Sequence, residues 1–104
     1  MPKPGDVIIA RVHFVDSDES KIRPALVLFE ELGNIVIAAI STNLDMKGIP
    51  ITVKEGAVQE SILKLNYTLT ITNEAVLKTV FHLSTEKKRI VFEELSKRLA
   101  GLRA

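Results

Sequence analysis

Along residues 7–14 an apolar residue falls at every second position. Ile8, Ala10, Val12 and Phe14 share one face of an extended chain, while Arg11 and His13 point the other way. That period of two predicts a half-buried strand, and Pro4-Gly5-Asp6 before it is a turn signal. Residues 16–21 are polar, with nothing to bury, and read as a loop. A second strand is predicted over residues 25–29, with Pro24 at its start and not its middle, because proline has no N–H to donate. Leu32-Gly33-Asn34 is a short turn. The nearly continuous apolar run at 35–40 predicts a central strand covered on both faces, paired with the preceding strand as a hairpin.

Ser41-Thr42-Asn43 ends that run, and residues 43–48 form a loop. Residues 49–53 contain Pro50, which places a short strand at a sheet edge. A polar connection follows at 54–60. Leu63, Leu65, Tyr67, Leu69 and Ile71 then alternate with Lys64, Asn66, Thr68 and Thr70, predicting one long strand. Thr72 or Asn73 caps a short helical turn, and residues 80–83 suit a last short strand. Ser84 or Thr85 caps a terminal helix with Glu86 in its first turn. On that helix Phe92, Leu95, Leu99 and Leu102 make an apolar stripe, widened by Val91, as the face that packs on the sheet.

Strands in a run with one late helix predict a mainly β (α+β) fold, a small antiparallel barrel or half-barrel with a C-terminal helix packed on it. Without helices between the early strands, parallel crossovers have nothing to run through. At 104 residues the chain suits one domain, 1–104. The balance of 14 Lys+Arg against 13 Asp+Glu means that nucleic-acid binding would have to come from a local patch rather than bulk charge. With 0 Cys, disulfides, thiolate metal sites and a cysteine nucleophile are excluded, and two histidines, His13 and His82, make a histidine-rich metal site a poor fit. No run reaches the roughly 20 apolar residues of a membrane span, and the first residues lack an apolar signal region. The expected location is the cytoplasm.

Arg23 directly precedes Pro24, and proline pushes the residue before it toward extended geometry. A guanidinium held so can grip a phosphate through two parallel hydrogen bonds. The alternative is a surface ion pair with Asp16, Asp18 or Glu19. Ser41, Thr42 and Asn43 follow a rigid strand, where hydroxyls and an amide can hold phosphate or sugar oxygens, or simply cap a local turn. Asp18 and Glu19 are candidate general bases, or solvated loop carboxylates. His13 is a candidate proton shuttle, or merely exposed, and His82, in an apolar run, reads as structural. Lys64, on the polar face of the long strand, joins His13, Lys21 and Asn43 as candidate substrate contacts. There is no Gly-rich phosphate loop, no HExxH and no nucleophile elbow.

The ordered set Pro4-Gly5-Asp6-Val7-Ile8, then Arg23-Pro24-Ala25-Leu26-Val27-Leu28, then Ile37-Ala38-Ala39-Ile40 running into Ser41-Thr42-Asn43, resembles the PemK/MazF family of toxin ribonucleases. So do Ile49-Pro50, Ser61-Ile62-Leu63-Lys64-Leu65-Asn66 leading to Thr70-Ile71, and Leu83-Ser84 at the helix start. The resemblance implies an SH3-like barrel, a homodimer, an antitoxin partner and metal-independent, cofactor-free cleavage of single-stranded RNA. In that chemistry the 2′-hydroxyl attacks the adjacent phosphate to leave a cyclic phosphate and a 5′-hydroxyl. The family's arginine before proline falls on Arg23. Its hydroxyl residue after the central strand falls on Ser41, with Thr42 adjacent. Its Ser-Glu-Gln loop element falls loosely on Ser17, Asp18 and Glu19. The loop here has less Gly and more acid, and Leu69 and Thr72 stand where many members carry an arginine and an aspartate. The competing reading is a non-catalytic small-barrel module that binds RNA or peptide. RNA binding of that kind calls for exposed aromatics, whereas Phe14, Phe29 and Phe92 read as core or packing residues. A purely structural or regulatory dimer is a third reading.

Overall fold

Leu32 and Gly33 have φ of 52° and 84°. Positive φ at both central positions is the two-residue hairpin turn whose twist matches its flanking strands. It joins β2 (Ser20–Glu31) to β3 (Asn34–Ser41), closing on the pair Glu31 and Asn34. The computed structural model describes residues 2–13 and 19–103. Among these the other elements are β1 (Asp6–His13), β4 (Ile49–Ile51), β5 (Ser61–Thr72), β6 (Val76–His82) and the helix α1 (Thr85–Leu99). The strands form one sheet in the order β4-β5-β3-β2-β1-β6, every pair antiparallel. The sheet curls as a half-barrel whose end strands, β4 and β6, do not pair with each other. The expected fold, a small antiparallel barrel with one C-terminal helix, is the observed one. Pro50 is on the edge strand β4 as expected.

Both sheet faces are covered, which is why the apolar runs are nearly continuous. Val7, Leu26, Ala38, Ile40, Leu63 and Leu65 meet Ile49, Ile51, Leu83 and Val91 in a core on the helix side. Ile8, Ala10, Val12, Ala25, Val27, Ile35, Ile37 and Ile71 fill a second core. Sequence neighbours such as Val7 and Ile8, or Leu26 and Val27, thus serve opposite cores. β1 is consequently buried on both faces at its start and half-buried only toward His13. Phe14 lies outside the described residues.

Four local expectations are corrected. β2 begins at Ser20, so Pro24 is inside the strand, paired with Ile9. Pairing to β3 starts only at Ala25 and Ala39, and residues 20–24 are hydrogen-bonded to β1 alone, so the missing N–H of Pro24 costs no second ladder. β6 starts at Val76, earlier than the apolar run suggested. The alternating residues of β5 do not share one core. Its register to β3 jumps from Ala38–Thr68 to Ala39–Lys64, which leaves residues 65–67 as an insertion of odd length and reverses the side-chain parity. Leu63 and Leu65 therefore enter the helix-side core, and Ile71 with half-buried Leu69 the other. Finally, α1 packs through Val91 and Leu95. Phe92, Leu99 and Leu102 are exposed, Phe92 by 71% and Leu102 by 83%, and Phe29 is exposed as well. Phe29 and Phe92 are surface aromatics, not core.

The Pro-Gly-Asp opening does more than turn the chain. The Gly5 N–H donates to the Val27 carbonyl at 3.0 Å, and the Gly5 carbonyl accepts from the Leu83 N–H at 2.9 Å. Asp6 accepts from the Lys3 N–H at 3.0 Å and meets His82 Nδ1 at 2.7 Å. The Lys88 ammonium, which can only donate, lies 3.0 Å from His82 Nε2, so the ring proton is on Nδ1 and is donated to Asp6. His82 is structural, as expected, and this brace ties β1, β2, β6 and α1 together. Gly5 has a φ of +96°, and a Cβ there would come within 2.6 Å of Lys88 Cδ. Ser84 caps α1 by accepting from the Lys87 N–H at 3.1 Å.

Candidate functional site

On β3 the face that carries Ile35 and Ile37 into the second core continues through half-buried Ala39 to Ser41. The apolar filling stops at Ala39, so the same face turns polar where the strand ends. Lys64 of β5 is paired opposite Ala39, and Arg23 of β2, paired to Ala10 of β1, comes from the other side. The result is an open groove of about 730 Å³ lined by Glu19, Lys21, Arg23, Ser41, Thr42, Asn43 and Lys64 together with Ile22, Pro24, Ala39, Ile40, Met46 and Tyr67. Four of those first seven lie in paired strands, Lys21 and Arg23 on β2 against β1, and Ser41 and Lys64 where β3 pairs with β5.

Three cationic side chains, Lys21, Arg23 and Lys64, line this groove against one carboxylate, Glu19, among the described residues. A chain of net charge +1 therefore concentrates positive charge locally, in the place where hydroxyls are also gathered. Arg23 is exposed and donates from Nη1 to the Ile22 carbonyl at 3.2 Å. Among the described residues it has no carboxylate partner, so most of its five N–H donors are available to a ligand. Ser41 Oγ accepts from the Asn43 N–H at 3.1 Å, and Asn43 Oδ1 accepts from the Asp45 N–H at 3.0 Å. The turn-capping role is thus real, and it leaves the Ser41 hydroxyl proton and the Asn43 amide N–H groups to donate elsewhere. Lys64 Nζ donates to the Lys47 carbonyl, fastening the loop after β3 to β5.

His13 pairs with Ser20 at the far end of β1 and does not line the groove. Asp18, with Ser17 beside it, lies outside the described residues. Leu69 packs against the second core and Thr72 pairs with Asn34, so neither position opens on the groove. Tyr67 and Met46 do, and the sequence pattern hid them. Tyr67 falls in step with buried leucines, and only the insertion in β5 turns it outward.

The sequence as a whole falls in a recognised class. Residues 3–99 match the PemK-like, MazF-like toxins of type II toxin–antitoxin systems, and the chain belongs to that family. A comparison with curated protein sequences finds no match. Among solved structures, the Mycobacterium tuberculosis toxin MazF-mt6 superposes with a TM-score of 0.72 at 24% identity, over 88% of this chain and 93% of that one. At that identity the likeness is one of fold.

Proposed function

We propose that this toxin cleaves single-stranded RNA at the groove between β2, β3 and β5, without a metal or other cofactor. The observation that carries the reading is the convergence of an extended Arg23, without a carboxylate partner among the described residues, with Lys21, Lys64 and the Ser41 and Thr42 hydroxyls. Arg23 grips the scissile phosphate through two N–H groups. Lys21, Lys64 and the Asn43 amide hold the flanking backbone. The nucleophile is the substrate's own 2′-oxygen. Glu19, the described carboxylate of the groove, takes the 2′-hydroxyl proton; Asp18 is the other candidate for that role. The 2′-O–P bond forms, the P–O5′ bond breaks, and the 5′-oxygen takes up a proton from water, leaving a 2′,3′-cyclic phosphate and a 5′-hydroxyl, while Glu19 returns its proton to solvent. Arg23, Ser41 and Thr42 donate to the non-bridging oxygens as negative charge builds on them, the largest contribution such donors make.

The toxin family supports an antitoxin as the partner that restrains this activity, and an RNA substrate supports a cytoplasmic location. No helix among the described residues is long and apolar enough to cross a membrane. A homodimer remains part of the proposal. Light scattering at micromolar concentration should report about twice 11.5 kDa, and a monomer would refute it.

The test of the activity is product analysis with purified protein and single-stranded RNA in EDTA. Wild type should leave cyclic-phosphate ends. Arg23→Ala should leave the RNA whole while melting like wild type. Ser41→Ala and Thr42→Ala should each slow cutting by about 10- to 1000-fold, as for loss of one donor to a developing oxyanion. RNA that is bound but never cut would favour the non-catalytic module instead.

A further inference from the structure

We infer that Tyr67 is a stacking platform for one nucleobase of the RNA, an inference that rests on the proposed function. Tyr67 occupies a place that ordinary strand geometry would give to a core residue. In unbroken alternation with Leu63, Leu65, Leu69 and Ile71 its ring would be buried. The register jump between Thr68 and Lys64 instead leaves the residue 49% exposed, on the wall of the groove that holds Arg23, Ser41 and Lys64. It is the one aromatic among the described groove residues. Ile22, also 49% exposed, and Met46 line the same groove and add apolar surface. Phosphate contacts alone position a strand and do not hold its bases. A base face laid on an aromatic ring beside a cationic track is the common way to hold single strands, and it tolerates any base because each has a π-face. The insertion in β5 thus converts a core position into a base-binding one beside the backbone grip of Arg23.

The chain has 1 Tyr and no Trp, so emission in the tyrosine band reports Tyr67 alone. The probe is a mixed-sequence 2′-O-methyl hexanucleotide, which has no free 2′-hydroxyl and is not cut. Anisotropy of an end-labelled copy measures binding, and the unlabelled copy is used to follow tyrosine emission. Emission should be quenched over the same concentration range as binding. Tyr67→Phe should bind within about 3-fold of wild type, and Tyr67→Ala should bind about 5- to 150-fold more weakly, the loss expected for one stacked base. Abasic substitution at one position of the oligonucleotide should weaken wild type by a similar factor and leave Tyr67→Ala unchanged, which a merely structural role would not do. Binding without quenching, or Tyr67→Ala binding as tightly as wild type, overturns the stacking and leaves the groove assignment standing. Wild type that neither binds the probe nor cuts RNA overturns both.

Discussion

Replacing Asp6 with alanine should weaken the fold more than any other single polar substitution on β1. Asp6 is only 7% exposed, and its carboxylate serves two donors, the Lys3 N–H at 3.0 Å and His82 Nδ1 at 2.7 Å. Burial works to raise its pKa. The Lys3 hydrogen bond, the His82 hydrogen bond and the nearby positive charge outweigh burial and hold the carboxyl below its ordinary value. Hydrogen bonds to a charged group contribute about 1.5–3 kcal/mol each. Because the two share one carboxylate and His82 can turn to water, the expected loss is about 2–4 kcal/mol, out of a total of roughly 5–15. For a chain of this size that lowers Tm by about 10–25 °C. Asp6→Asn keeps one acceptor and should lose about half as much. The pH dependence follows from a folded pKa that is depressed: the stabilisation is full above the unfolded value of about 3.9 and is lost as pH falls through the lower folded value. Thermal melts of wild type and Asp6→Asn should therefore converge below about pH 4 and be furthest apart above about pH 5. An Asp6→Ala protein melting within about 4 °C of wild type, or a gap that does not change with acid, would refute the brace as a source of stability.

Arg23→Lys should cut RNA far more slowly than wild type at unchanged Tm, because an ammonium cannot make the planar two-point contact with phosphate; equal rates would mean that Arg23 acts only as a charge. Val91→Ala should cost about 1.5–3 kcal/mol in denaturant unfolding, whereas Phe92→Ala, at a position 71% exposed, should stay within about 0.5 kcal/mol; the reverse order would mean that α1 packs by its other face. Gly48→Ala would bring a Cβ within 2.4 Å of the Leu63 carbonyl oxygen, and since backbone cannot give way as a flexible side chain does, circular dichroism melts should show a clear loss of stability; a wild-type Tm would show that β4 can shift away from β5 without cost.

Much of the molecule was legible in the order of its residues. Period-two alternation marks strands, Leu32-Gly33 a hairpin turn, Pro50 an edge and Ser84 a helix start, and each of these is decided by neighbours a few positions apart. The same local logic singled out Arg23 before Pro24 and the hydroxyls of Ser41 and Thr42, because strand ends and X-Pro steps are where a side chain is held still. Tertiary structure decided the rest. The face a residue takes in β5 depends on its register to β3, and three inserted residues reverse it, so Tyr67 reaches the groove and Leu69 the core although both obey one pattern. The stripe on α1 is wider than the surface it meets, so packing selected Val91 and Leu95 and left Phe92 outside. Asp6 and His82 are 76 positions apart, and only the pairing of β1 with β6 brings that carboxylate to that ring. Periodicity reports which residues share a face of an ideal element; where that face points is set by the partner strand, through contacts far along the chain.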